Sequence, residues 1–253
     1  MPDTSSFPVH SRFTELNFDH IRSTIVKLKR RVEARFPESG LSGVASELVQ
    51  LADASDHALH QLRRPVWWLR CVTAVALVFV ISVALWSMVQ VMALTGAGVG
   101  DFANAVQGLE AATNEVILLS LILWFFVSLE QRFKRRTALA MLHRLRSMAH
   151  VVDMHQLTKD PDSVLRPASS TADSPDRRLS APQLTRYLDY CSELLSLIGK
   201  LAALLAQHQQ DDVVLSAVND IETLTLGLSR KIWQKIAILD LVESLPGGMK
   251  LSR

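Results

Sequence analysis

The densest run of groups able to do chemistry is His143-Arg144-Leu145-Arg146-Ser147-Met148-Ala149-His150-Val151-Val152-Asp153-Met154-His155-Gln156. On a helix, His143 and His150 stack on one side and Asp153 follows one turn beyond His150. Imidazole and carboxylate are metal ligands, so His143, His150 and Asp153 form the candidate metal site; the same groups could meet an anionic partner. The spacing is not the i, i+4 pair with which one helix chelates a metal. A solvated basic face beside lipid headgroups accounts for the same residues more simply. No nucleotide-binding motif accompanies a phosphotransfer histidine.

A second cluster is Leu226-Gly227-Leu228-Ser229-Arg230-Lys231-Ile232-Trp233-Gln234-Lys235. Arg230, Lys231 and Trp233 are the candidate interaction residues, because Trp and Arg dominate binding hot spots. A Trp at helical spacing is more often buried, so core packing is the first expectation for Trp233. A phosphate-cradling Gly loop, His-Glu-x-x-His, Cys-x-x-Cys, a Gly-x-Ser-x-Gly elbow and a calcium loop are all missing from the sequence. No enzyme and no cofactor are expected.

The elements that must position these groups are dominated by two apolar runs, Val66 to Leu94 and Val116 to Leu129. Crossing the roughly 30 Å hydrocarbon layer takes about 20 helical residues; the first run suffices, and the second just reaches once its flank from Thr113, Glu115 included, is added. Arg63, Arg64 and Arg70 flank the first run, and Arg132, Lys134, Arg135 and Arg136 follow the second. The loop between them, with Asp101, Glu110 and Glu115, has no Lys or Arg. Basic flanks stay inside, which predicts cytoplasmic termini and an external loop. Trp67 and Trp68 suit the interface, Arg70 can snorkel to the headgroups, and Pro65 fits a first helical turn. No ionisable residue lies deeper than Arg70, which argues against a pump or carrier. Asp101-Phe102-Ala103-Asn104 is no cation-channel signature.

With 253 residues, 49% hydrophobic content and a net charge of +2, the chain has too little positive charge to imply nucleic-acid binding. Cys71 lies in the first run and Cys191 in a helical stretch, so no disulfide is expected and a reducing cytosol fits. About 65 polar or mixed residues precede the first run, unlike a cleavable signal peptide. The predicted organisation is a helical arm over 1–64, spans over 65–94 and 115–130 joined by a flexible loop over 95–114, and a helical stalk over 131–160. A disordered linker over 161–182, an antiparallel helical hairpin over 183–245 and a tail over 246–253 complete it.

In the arm, Ile21, Ile25, Leu28 and Val32 form an apolar face opposite Lys27, Arg30 and Arg31, and Leu41, Val44, Leu48 and Leu51 mark a second helix. The stalk puts Met141, Leu142, Leu145, Met148, Ala149 and Val152 on one face and Arg132, Arg136, His143, Arg146 and His150 on the other. The hairpin carries one seam through Leu184, Leu188, Cys191, Leu195 and Ile198 and another through Val214, Val218, Ile221, Leu224 and Leu228.

The expected fold class is therefore all-α: a two-span transmembrane hairpin with a cytosolic helical bundle built from the N- and C-terminal segments. The first functional expectation is a non-enzymatic inner-membrane protein acting as an oligomeric scaffold, adaptor or sensor subunit. Its partners would be the lipid bilayer and either a second copy or a cytosolic protein, with no nucleic acid. The second is a membrane effector that forms or gates a pore. In its two-span layout, rather than in a motif, the chain resembles the SLATT group of bacterial defence effectors, and that resemblance implies such an effector. The third is a metal-dependent membrane protein using His143, His150 and Asp153.

Overall fold

The computed structural model describes residues 15–63, 67–96, 102–159, 161, 179–207 and 211–244. They form six helices: α1 (Phe18–Arg35), α2 (Gly40–Arg63), α3 (Trp67–Gly96), α4 (Phe102–Leu157), α5 (Ala181–Ala206) and α6 (Asp212–Ser244), with no strand among the described residues. The all-α class is thus observed. Pro65, Gly98, Gly100, Asp101, most of the 161–182 segment and the 246–253 tail lie outside the described residues.

Local sequence accounts for the helix ends. The Asn17 carboxamide accepts from the Asp19 and His20 backbone N–H groups at 2.8 and 3.3 Å, satisfying donors that the first turn leaves open. At α5 the Ser180 N–H donates to Gln183 Oε1 at 2.9 Å, and Pro182 occupies the first turn, where its missing donor costs nothing. The Asp211 carboxylate caps α6 by accepting from Val213 and Val214 N–H at 3.0 and 3.2 Å. No Gly or Pro interrupts the chain from Leu109 to Asp160, and α4 runs as one helix to Leu157.

One boundary differs from expectation. The 95–114 stretch was expected to be a flexible loop, yet α3 continues through Gly96 and α4 begins at Phe102. Phe102–Asn114 contains a single glycine among four alanines, Gln107, Leu109 and Glu110. One internal Gly costs about 1 kcal/mol relative to Ala, which such strong helix formers offset.

The chain divides into two compact units, Met1–His60 with Ala138–Arg253, and Gln61–Thr137. In the first, α1 runs antiparallel to α2, with Arg22 Nε on Asp53 Oδ1 at 2.6 Å near one end and Ser46 Oγ on Glu33 Oε1 at 3.4 Å near the other. It is also antiparallel to α5, with Leu16 N–H on Gln207 Oε1 at one end, Phe36 against Tyr187 at the other, and a two-pronged Arg31–Glu193 ion pair between. The end of α4 lies along α2, where a Cβ on Gly40 would overlap the His155 imidazole.

Helix α5 is the centre of this unit: 15 of its 26 residues are buried. Besides the expected seam, Tyr187, Tyr190, Leu194, Leu197, Leu201 and Leu204 form a second buried face. A helix apolar nearly all round must be enclosed, here by α1 on one side and α6 on the other. Gly199 lets α6 approach, since a Cβ there would sit 3.2 Å from Thr225 Oγ1. The apolar residues expected to face inward on α1, α2 and the end of α4 are all buried; on α6 only Leu224 is merely half-buried.

The second unit holds α3 and α4 through Thr137. Both helices are long and apolar enough to cross a membrane; the apolar spans are Arg70–Val89 and the stretch beginning at Val116. None of the residues in these windows is buried in the protein.

Candidate functional site

The helix geometry separates the proposed metal ligands. His143 and His150 are both exposed on α4, on one side but two turns apart, a rise of about 10 Å that bonds of about 2 Å to a single ion do not span. The Asp153 carboxylate accepts from Gln156 Nε2 at 2.6 Å, within its own helix. Among the described residues no three His, Cys, Asp or Glu side chains are grouped so as to hold a metal ion. His143 instead borders a surface hollow of about 320 Å³ between α2 and α4, with Glu47, Gln50 and Arg144 on its rim.

Helix phase also resolves the α6 cluster. Ile232, Ile236 and Leu239 turn into the core, and Trp233, one residue and about 100° on from Ile232, turns out. Its side chain is 57% exposed, which corrects the first expectation of core burial. Arg230 shares the Trp233 face, while Lys231 lies about 100° further round and is exposed elsewhere. On one flank Trp233 borders a groove of about 400 Å³ with Pro182, Arg186, Asp189, Ile236 and Asp240. The described structure therefore brings two of the three candidate interaction residues together.

Sequence reasoning passed over Lys235. Its Nζ donates to Gln156 O at 3.0 Å, to Gln156 Oε1 at 2.9 Å and to Lys159 O at 3.4 Å, placing a cation on the open carbonyls at the end of α4. Gln156 is 1% exposed, so its side-chain oxygen needs this donor. Beside it the fully buried Cys191 thiol is pushed up to about 12 by burial, an effect that Lys235 opposes. Burial likewise raises Tyr187, whose ring is edge-on to Phe36 at 5.4 Å. A neutral, shielded thiol is inert, so Cys191 is a core residue and not a nucleophile.

In the other unit Arg70 has a protein partner as well as a route to headgroups: its Nε lies 3.4 Å from Glu130 Oε2, and Lys134 Nζ lies 3.0 Å from Glu130 Oε1. This triad joins the start of α3 to α4. Glu130 closes the second apolar run, and the opposite charge at Arg70 was the signal that would have found the pairing. Between these charges and Val89 the described face of α3 is apolar but for Thr73, Ser82 and Ser87, and Ser82 returns its hydroxyl to Val78 O at 2.8 Å. Such back-bonding removes the polarity of a hydroxyl without a partner outside the helix.

What the arrangement can do chemically is hold and present surfaces. The described ion pairs tie helices together or lie along one helix, and Phe79, Trp86, Trp124 and Trp233 present apolar surface outward. Comparison with known protein families, with curated proteins and with solved structures gives no match to this chain.

Proposed function

We propose that the chain is a two-span inner-membrane protein with both termini in the cytoplasm, whose cytosolic helices form a scaffold, adaptor or sensor subunit that works as an oligomer. The observation that carries this is the contrast between the two units. The first buries a complete apolar core. In the second, twelve large apolar side chains on α3 and seven on Val116–Phe125 of α4 are exposed, Trp86 at 67% and Trp124 at 66% among them. These side chains are on average a little over half exposed, so leaving each in water forgoes roughly half of the 1.5–3 kcal/mol that full burial is worth. Summed, that is about 15–30 kcal/mol, at or beyond the 5–15 kcal/mol by which a whole domain is typically stable. Lipid removes that cost, and a helix satisfies its own backbone groups there.

The basic flanks of both runs support the orientation. A binding role is supported by the use of the polar side chains: Arg22, Arg31, Lys235 and their partners are engaged in holding helices together. Membrane fractionation with alkaline carbonate washing, followed by protease treatment of spheroplasts carrying a tag at either end, tests the reading. Retention in the membrane pellet with both tags protected is expected. Release into the wash, or loss of either tag to external protease, would overturn it.

A further inference from the structure

Ten large hydrophobic side chains are exposed among the described residues of the first unit, and six of them are on α6: Val213, Leu215, Leu226, Trp233, Ile238 and Leu241. They are not scattered evenly. Counting 100° per residue, Leu215, Leu226, Trp233, Ala237 and Leu241 fall on one stripe along the side of α6 turned away from Ile221, Ile232 and Leu239. Leu215, Leu226 and Ala237 recur every eleven residues, a period that keeps the stripe nearly straight along the helix. A core-facing helix needs one apolar face; on α6 Leu215, Leu226, Trp233 and Ala237 add a second line of apolar side chains, and all four are exposed.

The charges on this stripe identify its occupant. Glu222 and Arg230 both lie on it, both are exposed, and neither has an ion-pair partner among the described residues. They stand four residues to either side of Leu226. If two copies of α6 pair antiparallel about a two-fold axis at Leu226, each Arg230 falls level with Glu222 of the other copy, and Leu226 meets its own counterpart. Ala237 then meets Leu215, and Trp233 covers the short Asn219. The two helices overlap over 212–240, about 43 Å of helix length. A parallel pairing would instead set Arg230 on Arg230 and Glu222 on Glu222. Asp212 comes level with Asp240 at the two ends of the antiparallel pair, where both are exposed and solvent screens their repulsion.

We propose that this outer stripe of α6 is the surface through which two copies of the chain associate, antiparallel, with Leu226 on the axis and two Arg230–Glu222 ion pairs flanking it. Self-complementarity of a single patch is what a two-fold dimer requires. Trp233 and Arg230 beside the central Leu pair are of the residue types enriched in interface hot spots. The assignment deepens the scaffold reading by naming the partner and the surface, and it rests on that reading only for self-association itself.

The test uses full-length protein in its membranes with Cys71→Ala, retaining the buried Cys191. Under mild oxidation Leu226→Cys links to itself, Leu215→Cys does not, and Leu215→Cys co-produced with Ala237→Cys gives a mixed dimer. In detergent, Arg230→Glu weakens the dimer about tenfold or more by placing Glu against Glu222 twice, and Arg230→Glu with Glu222→Arg restores it. All six substituted α6 side chains are exposed, so each variant folds. Failure of Leu226→Cys to link, linkage of Leu226→Cys only to Trp233→Cys, or failure of the double charge swap to restore association overturns the α6 interface. If the chain still migrates as an oligomer after such a failure, the scaffold reading survives without this surface. A chain that is monomeric throughout overturns both.

Discussion

Replacing Lys235 by Met tests whether the link between α6 and the end of α4 holds the first unit together. Met keeps the length and the apolar stem and removes the ammonium. Two hydrogen bonds of good length are lost, to Gln156 O at 3.0 Å and Gln156 Oε1 at 2.9 Å; the contact with Lys159 O at 3.4 Å is too long to count as a third. Charged hydrogen bonds are worth about 1.5–3 kcal/mol each, but the two share one donor that is partly solvated, so about 2–3 kcal/mol is expected for the pair. Most of that is the cost of leaving the Gln156 oxygen, on a side chain 1% exposed, without a donor. Gln156→Leu removes one of the two acceptors, so combining the changes should give a coupling of about 1 kcal/mol, with the backbone bond as the remainder. The assay is urea unfolding of the whole chain in detergent, read by alkylation of Cys191 in the Cys71→Ala background, because Cys191 is fully buried until this unit opens. With a slope of about 1–3 kcal/mol per molar urea, the midpoint should fall by about 1–2 M. A fall of less than about 0.3 M, or additive single and double changes, would refute the structural role given to Lys235.

Two further predictions concern the same core. Raising the pH should destabilise this unit, because burial keeps the Cys191 thiol and the Tyr187 phenol protonated when folded, whereas the unfolded chain releases both protons at lower pH. Both native values are raised, so their contribution is complete below the unfolded values and is lost as pH climbs, for Cys191 from about 9 towards about 12. Denaturation midpoints measured from pH 8 to 11 should fall, and Cys191→Ala should flatten the fall; an unchanged midpoint would contradict it. Phe36→Ala removes a buried ring set edge-on to Tyr187 at 5.4 Å and Tyr190 at 6.3 Å, and should cost about 3–4 kcal/mol in the same urea assay. A cost below about 1 kcal/mol would show that α1 is not anchored there.

Much of this architecture is legible in the residue pattern, and the exceptions have physical reasons. Met141 to Val152 on α4 and Ile21 to Val32 on α1 follow the 3.6-residue period, and their apolar positions are the buried ones. On α5 a single seam is visible to a one-face template, although Tyr187, Leu194 and Leu201 form a second; a helix enclosed on two sides has no polar half to mark its phase. Trp233 shows the opposite error. Average burial of Trp favours the core, but its phase relative to Ile232 and Ile236 puts it outside, and phase is the stronger guide on a regular helix. The histidines of α4 attract attention by type, yet a spacing of seven separates them. Lys235 and Gln156 are far apart in sequence, and only the folded chain shows that they meet, whereas the opposite charges of Arg70 and Glu130 on the two apolar runs were a signal of their pairing.

The most direct measurement concerns the solvent around α3 and α4. In the chain with Cys71→Ala and Cys191→Ala, single cysteines at Ser82, at Ser120 and at the exposed Arg146 are treated with a charged maleimide in opened membrane vesicles, where both sides are reachable. Immersion in lipid predicts fast labelling at position 146 and none at 82 or 120 until detergent and denaturant are added. Labelling of positions 82 and 120 at the rate seen for 146 would mean that water surrounds these helices, and the membrane assignment would fail.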